Sequence, residues 1–121
     1  MKTRLILRGL SVWGHANLRT WEPEQLDTVA EVITAEIGHR QRTGNDSFSV
    51  RVATPAGLAG MQAHDGVIAT RPLLVIDRFD FAHLWAWFES ILVRCDGEDW
   101  PVCVERLRLY LDWEYDGYAE R

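Results

Sequence analysis

Four histidines, His15, His39, His64 and His83, are the side chains best suited to proton transfer or metal binding near neutral pH. Each stands alone, with no H-x-H, no H-E-x-x-H and no cysteine at ligand spacing. Ser47, Ser49 and Ser90 lie in strand or helix patterns without a local base, and the chain contains no phosphate loop, dinucleotide fingerprint or nucleophile elbow. Asp112 and Glu114 could act as acid and base, but any acidic surface offers such carboxylate pairs. These residues call for no metal and no cofactor, and they argue against an enzyme.

Recognition chemistry is better represented. The chain has six tryptophans and three tyrosines among 121 residues, and Trp, Tyr and Arg dominate the hot spots of protein interfaces. Near the C-terminus Asp112, Trp113, Glu114, Tyr115, Asp116 and Tyr118 interleave aromatic rings with carboxylates. The formal net charge of −5 excludes non-specific binding to nucleic acid or to an anionic membrane, because both require a basic surface. Residues 77–121 hold eleven acids against five arginines, a net of −6, whereas residues 1–76 hold seven acids and eight bases, a net of +1. All of the excess negative charge lies in the last third.

The elements that must position these groups fit one domain over residues 1–121. A chain of 121 residues buries about two thirds of the surface it exposes when unfolded. Its composition, 47% hydrophobic and 26% charged, is that of an ordinary globular protein. Leu5, Ile6 and Leu7 before Arg8 are too few for a secretory h-region, and no run of about 18 apolar residues occurs elsewhere. A cytoplasmic protein is expected, with Cys95 and Cys103 as free thiols in a reducing compartment.

Thr3 to Leu10 reads as a strand ended by Gly9, and Ser11 to Gln25 as a long loop pinned by Trp13 and Trp21. Leu26 to Ile37 fits either helix or strand, since Leu26, Val29, Ile33 and Ile37 have helical spacing while Val29, Ile33, Ala35 and Ile37 share a strand face. The Gly44-Asn45 turn and the alternation of Phe48, Val50 and Val52 favour two strands joined as a hairpin. Thr54-Pro55 starts a short helix through about Gln62, and Val67 to Asp77 reads as a strand buried on both faces.

Two helices follow. The first is capped by Asp80 and runs to Arg94 or Cys95, with Leu84, Phe88, Ile91, Leu92 and Cys95 inward and Trp85 and Trp87 on the flanks. Asp96-Gly97 closes it with a glycine C-cap, and Asp99 with Trp100-Pro101 opens the next. There Trp100, Cys103, Val104, Leu107 and Leu111 form a core face. Val102, Leu109 and, if the helix lasts so far, Trp113 lie on the opposite side, either sandwiched or offered to a partner. The expected fold is α+β, a largely antiparallel sheet of about four strands with two long C-terminal helices packed on one face.

The order of landmarks from Phe48 to Tyr118 resembles the immunity protein 8 family of bacterial polymorphic toxin systems. The carriers are Phe48 to Pro55 (FSVRVATP) with Leu58, then Arg71 to Ile76 (RPLLVI), then Asp99-Trp100, and finally Trp113 to Tyr118 (WEYDGY). Ala35 to Gly38 also looks like a family strand ending in Ile-Gly. The family typically has a large residue after Thr-Pro, where this chain has Ala56-Gly57, and the first 25 residues carry only a faint likeness.

The resemblance implies a protein that binds a cognate secreted or contact-delivered toxin domain and blocks it, and it tips the ambiguous segment towards strand. Such a protein needs a complementary surface of about 1,600 Å² in total for a standard interface, and an acidic face speeds capture of a basic toxin. Asp112, Trp113, Glu114, Tyr115, Asp116, Tyr118, Leu109 and Trp85 are the expected partner-binding residues. Arg71 reads either as a partner contact or as half of an internal ion pair. The alternative function is a non-catalytic adaptor or small-molecule-binding module with Trp13, Trp21 and Trp85 walling a pocket.

Overall fold

In the computed structural model, which describes residues 3–61, 66–68 and 71–116, strand alternation organises the N-terminal half. In β1 (Leu5–Val12) the side chains of Leu5 and Leu7 enter the core, and a bulge between Leu7 and Gly9 returns Leu10 and Val12 to the same face. Gly9 therefore marks a register shift and not the expected strand end. Trp13 and Gly14 then both take positive φ, at 59° and 77°, and the His15 N–H donates to the Val12 carbonyl at 3.3 Å. That turn leads into β2 (Ala16–Asn17), so the expected loop opens with a hairpin. Trp21 packs on the core, and Trp13, although largely exposed, meets Trp21 edge-on and donates from Nε1 to Glu31 Oε2 at 2.9 Å, so both rings hold the segment.

β3 (Ala30–His39) and β4 (Asn45–Ala53) form the central antiparallel hairpin, with Gly44 in the turn at φ 80°. Val29, Ile33, Ala35 and Ile37 are buried opposite Phe48, Val50 and Val52. The strand reading of the ambiguous segment holds, because period-two burial places four apolar side chains inside.

Thr54 then caps α1 (Pro55–Ala59), which ends short of the expected Gln62, itself outside the described residues. β5 (Leu73–Val75) runs parallel to β4 at the sheet edge. It departs from the expected strand buried on both faces: Leu73 is 39% and Val75 53% exposed. Only Leu74 turns towards the core, since Leu73 and Val75 point to the sheet face that no helix covers.

α2 (Phe81–Cys95) matches expectation, with the Asp80 carboxylate accepting the His83 N–H at 3.0 Å and Leu84, Phe88, Ile91, Leu92 and Cys95 buried. Its C-cap differs. Asp96 is extended, and Gly97 does not take the left-handed conformation. Glycine is required there by close approach, since a Cβ on Gly97 would lie 2.9 Å from Val102 Cγ1.

α3 (Trp100–Leu107) is capped by Asp99, whose carboxylate accepts the Val102 N–H at 3.1 Å, but it has only 8 residues. The backbone turns after Leu107, and the chain re-enters the sheet as β6 (Asp112–Trp113), antiparallel to β4. The expectation of two long helices is thus corrected to one long and two short. Val102, Leu109 and Trp113 do not share a helical strip, because two of them lie beyond the helix.

Among the described residues the sheet has six strands in the order β2-β1-β3-β4-β5, with β6 on the same edge of β4 as β5. Phe48 and Ser49 pair with β6, and Arg51 to Ala53 pair with β5. α2 and α3 close one face over a single core. The opposite face carries Val32, Thr34, Ser49 and Arg51, which are half-buried or exposed.

Candidate partner-binding surface

The aromatic and acidic residues near the C-terminus divide into those that build the fold and those that present surface. Trp113 is half-buried, and its Nε1 donates to Asp46 Oδ2 at 3.0 Å. Asp46 is buried and also receives the Arg42 guanidinium at 3.5 Å, which in turn lies 4.4 Å over the Trp100 ring. Trp100 meets Phe48 and His39 edge-on, at centroid distances of 6.3 and 6.4 Å. This cluster ties β3, β4, α3 and β6 together, so Trp113 serves first as a structural residue. Trp100, expected at the centre of the core, lies at its border under Arg42.

Glu114 and Asp116 are likewise engaged. The Glu114 N–H donates to the Ser47 carbonyl at 3.0 Å, and its Oε1 accepts the Ser47 N–H at 2.8 Å. Asp116 Oδ2 accepts the Trp113 N–H at 3.3 Å, while Oδ1 sits 2.7 Å from Arg108 Nη2. Much of the remaining acidity is used in the same way. Asp80 and Asp99 cap helices, and Asp96 accepts the Arg4 and Leu5 N–H groups at 2.7 and 3.1 Å. Local negative charge here supplies acceptors to backbone N–H groups that would otherwise lack them.

Leu109, Asp112 and Tyr115 present surface. Leu109 is 80% exposed, and with Asp112, Arg71 and Pro72 it lines a groove of about 370 Å³ where β5 and β6 meet beside β4. Asp112 pairs in register with Ser49, on the sheet face away from the helices. Tyr115 is exposed beside Trp113 at 5.1 Å. Arg71 is exposed and has no carboxylate partner among the described residues. Tyr118 lies outside the described residues.

Trp85 belongs to a separate cluster on α2, where it packs beside Phe81 at 5.8 Å and faces the Arg19 guanidinium at 5.6 Å. The three proposed walls of a tryptophan pocket do not come together. Trp13 and Trp21 meet edge-on at 5.7 Å and line one shallow depression of about 300 Å³, whose lining does not include Trp85.

The groups suited to chemistry are dispersed. His15 Nδ1 contacts the Trp13 carbonyl at 2.9 Å, and His39 Nδ1 accepts the Gln41 N–H at 3.1 Å. His83 Nδ1 lies 3.7 Å from its own helix cap, Asp80, and His64 is outside the described residues. Among the described residues no three His, Cys, Asp or Glu side chains converge to hold a metal ion, and no helix is long and apolar enough to cross a membrane. Cys95 and Cys103 are free and buried, and burial pushes both thiols above their ordinary pKa.

The sequence reading missed the open sheet face. Val32, Arg51, Leu73 and Val75 occupy it, and the signal was present in the alternation: Arg51 must point away from Val50 and Val52.

No curated protein and no solved structure is found to match this chain. A family model described as Immunity protein 8 matches residues 5–118, nearly the whole chain and every element described above, and the chain belongs to that family.

Proposed function

We propose that this protein binds a cognate secreted or contact-delivered bacterial toxin domain in the cytoplasm and neutralises it by stoichiometric association, without catalysis. The single observation that carries this reading is family membership over residues 5–118. The surface chemistry agrees with it. An exposed rim of Leu109, Asp112 and Tyr115 beside an uncovered sheet face offers apolar, aromatic and polar contacts on a rigid scaffold. Within the wider set of expected contacts, Trp113, Glu114 and Asp116 support the rim from below, and Tyr118 and Trp85 are further contacts.

Two experiments test the reading. Co-expression of this chain should protect cells from the toxin domain encoded next to it. The purified pair should also elute as one complex. A chain that neither protects nor binds refutes the function.

A further inference from the structure

Among the described residues Arg51 is a cation without a side-chain partner. It lies in the middle of β4, in register with Val32 on one side and Leu73 on the other, and its side chain projects from the face opposite Val50 and Val52. Among the described residues its guanidinium makes no hydrogen bond or ion pair, and its Nε is buried with no acceptor. A buried polar group is costly to leave unsatisfied, and native structures nearly always supply a partner.

The surroundings narrow what that partner is. Val32, Leu73 and Val75 are 40%, 39% and 53% exposed around the arginine, a border suited to excluding water from a charged contact. Among the described residues, nearby carboxylates are used elsewhere or do not reach. Glu36 accepts from Asn45 Nδ2 and Ser47 Oγ, each at 2.7 Å. Asp112 sits one row along, opposite Ser49, and forms no ion pair with Arg51. Thr34 and Ser49 keep the adjoining row low, so the face runs flat from Arg51 to the Leu109–Asp112 rim.

A phosphate-rich ligand would require several convergent cations, whereas Arg51 is flanked by apolar side chains and the exposed Arg71 shares its groove with Asp112, in a protein of net charge −5. We propose that this open face is where the toxin domain docks, with an aspartate or glutamate of the toxin placed between Val32 and Leu73 to accept from Arg51. This rests on the reading of the chain as a toxin-binding immunity protein.

The test compares affinity for the toxin domain encoded beside this chain across wild type and the variants Arg51→Lys, Arg51→Met and Arg51→Glu, with the thermal midpoint of each. Arg51→Met keeps the apolar stem and removes the charge, so it should weaken binding by about 30-fold or more. Arg51→Glu should weaken it further, and Arg51→Lys should fall between wild type and Arg51→Met.

As an arm that leaves Arg51 intact, Val32→Cys coupled to a bulky maleimide should lose binding relative to the same variant before coupling; the two native thiols are buried. Wild type that fails to bind the toxin domain overturns the function itself. Wild type that binds, together with Arg51→Met of unchanged affinity or a maleimide-blocked face that still binds, overturns this docking site alone.

Discussion

Trp113 Nε1 donates to Asp46 Oδ2 at 3.0 Å across 67 residues of sequence, and this bond fixes where the C-terminal segment meets the sheet. Asp46 begins the inward row of β4 and is 6% exposed, so few other donors reach it. The Arg42 guanidinium at 3.5 Å supplies the second contact. Trp113→Phe keeps an aromatic ring opposite Phe48 in the ladder and removes the donor, and should cost about 1–2 kcal/mol in urea unfolding. Asp46→Ala strands both donors and should cost about 2–3 kcal/mol. Equal stability of Trp113→Phe and wild type would remove this bond from the account of how β6 is held.

The three acids of the tail separate by the same reasoning. Asp112→Lys, at an exposed position with no side-chain partner among the described residues, should leave the thermal midpoint within about 1 °C. Glu114→Lys loses the Ser47 N–H and Asp116→Lys loses both Trp113 N–H and Arg108, so each should lose about 1 kcal/mol, roughly 4 °C. Only Asp112→Lys then reports on toxin binding without a folding defect. If acidic charge steers capture, the association rate should fall as salt rises while dissociation changes little.

Gly57, the second residue after Thr-Pro, is fixed by close approach of the backbone. A Cβ on Gly57 would lie within 1.7 Å of the Val29 carbonyl oxygen, which also receives the Thr54 N–H at 2.9 Å. Thr54 Oγ1 accepts both the Val29 and Gly57 N–H groups at 3.0 Å. Gly57→Ala should therefore cost about 3 kcal/mol or more, and Thr54→Val about 2 kcal/mol. Circular dichroism melting checks both, and a Gly57→Ala protein as stable as wild type would contradict this packing.

These cases show which parts of the molecule could be read before its structure. Phe48, Val50 and Val52 alternate, and Leu84, Phe88 and Ile91 recur at helical spacing, because each element buries one face; both were legible. Thr54, Asp80 and Asp99 were legible as caps because their carboxylates or hydroxyl serve N–H groups only three residues away.

The end of α3 was not legible. Leu107 and Leu111 keep helical spacing through the turn, and the Leu111 N–H still donates to the Leu107 carbonyl at 2.9 Å. What ends the helix is the pairing of Trp113 with Phe48, a contact that no local pattern announces. β5 was misread for a related reason, since an apolar run does not reveal whether one face of the sheet is covered or both. Arg51 was overlooked because the alternation around it was read for its inward residues alone.

The two thiols give the protein a defined alkaline weakness. Burial raises both pKa values above 9.0, and the proximity of Cys103 adds to the effect on Cys95. In the unfolded chain these thiols ionise from about pH 9 upward, while the fold keeps them protonated. The folded state then holds more protons than the unfolded state, so stability is full below about pH 9 and declines as pH rises through the folded values. Replacing both by alanine removes this term and leaves small cavities that cost about 1–2 kcal/mol at neutral pH. Urea midpoints at pH 8 and pH 10 should therefore differ more for wild type than for Cys95→Ala/Cys103→Ala. Equal differences would mean that other groups set the alkaline limit and that the buried thiols do not titrate on unfolding.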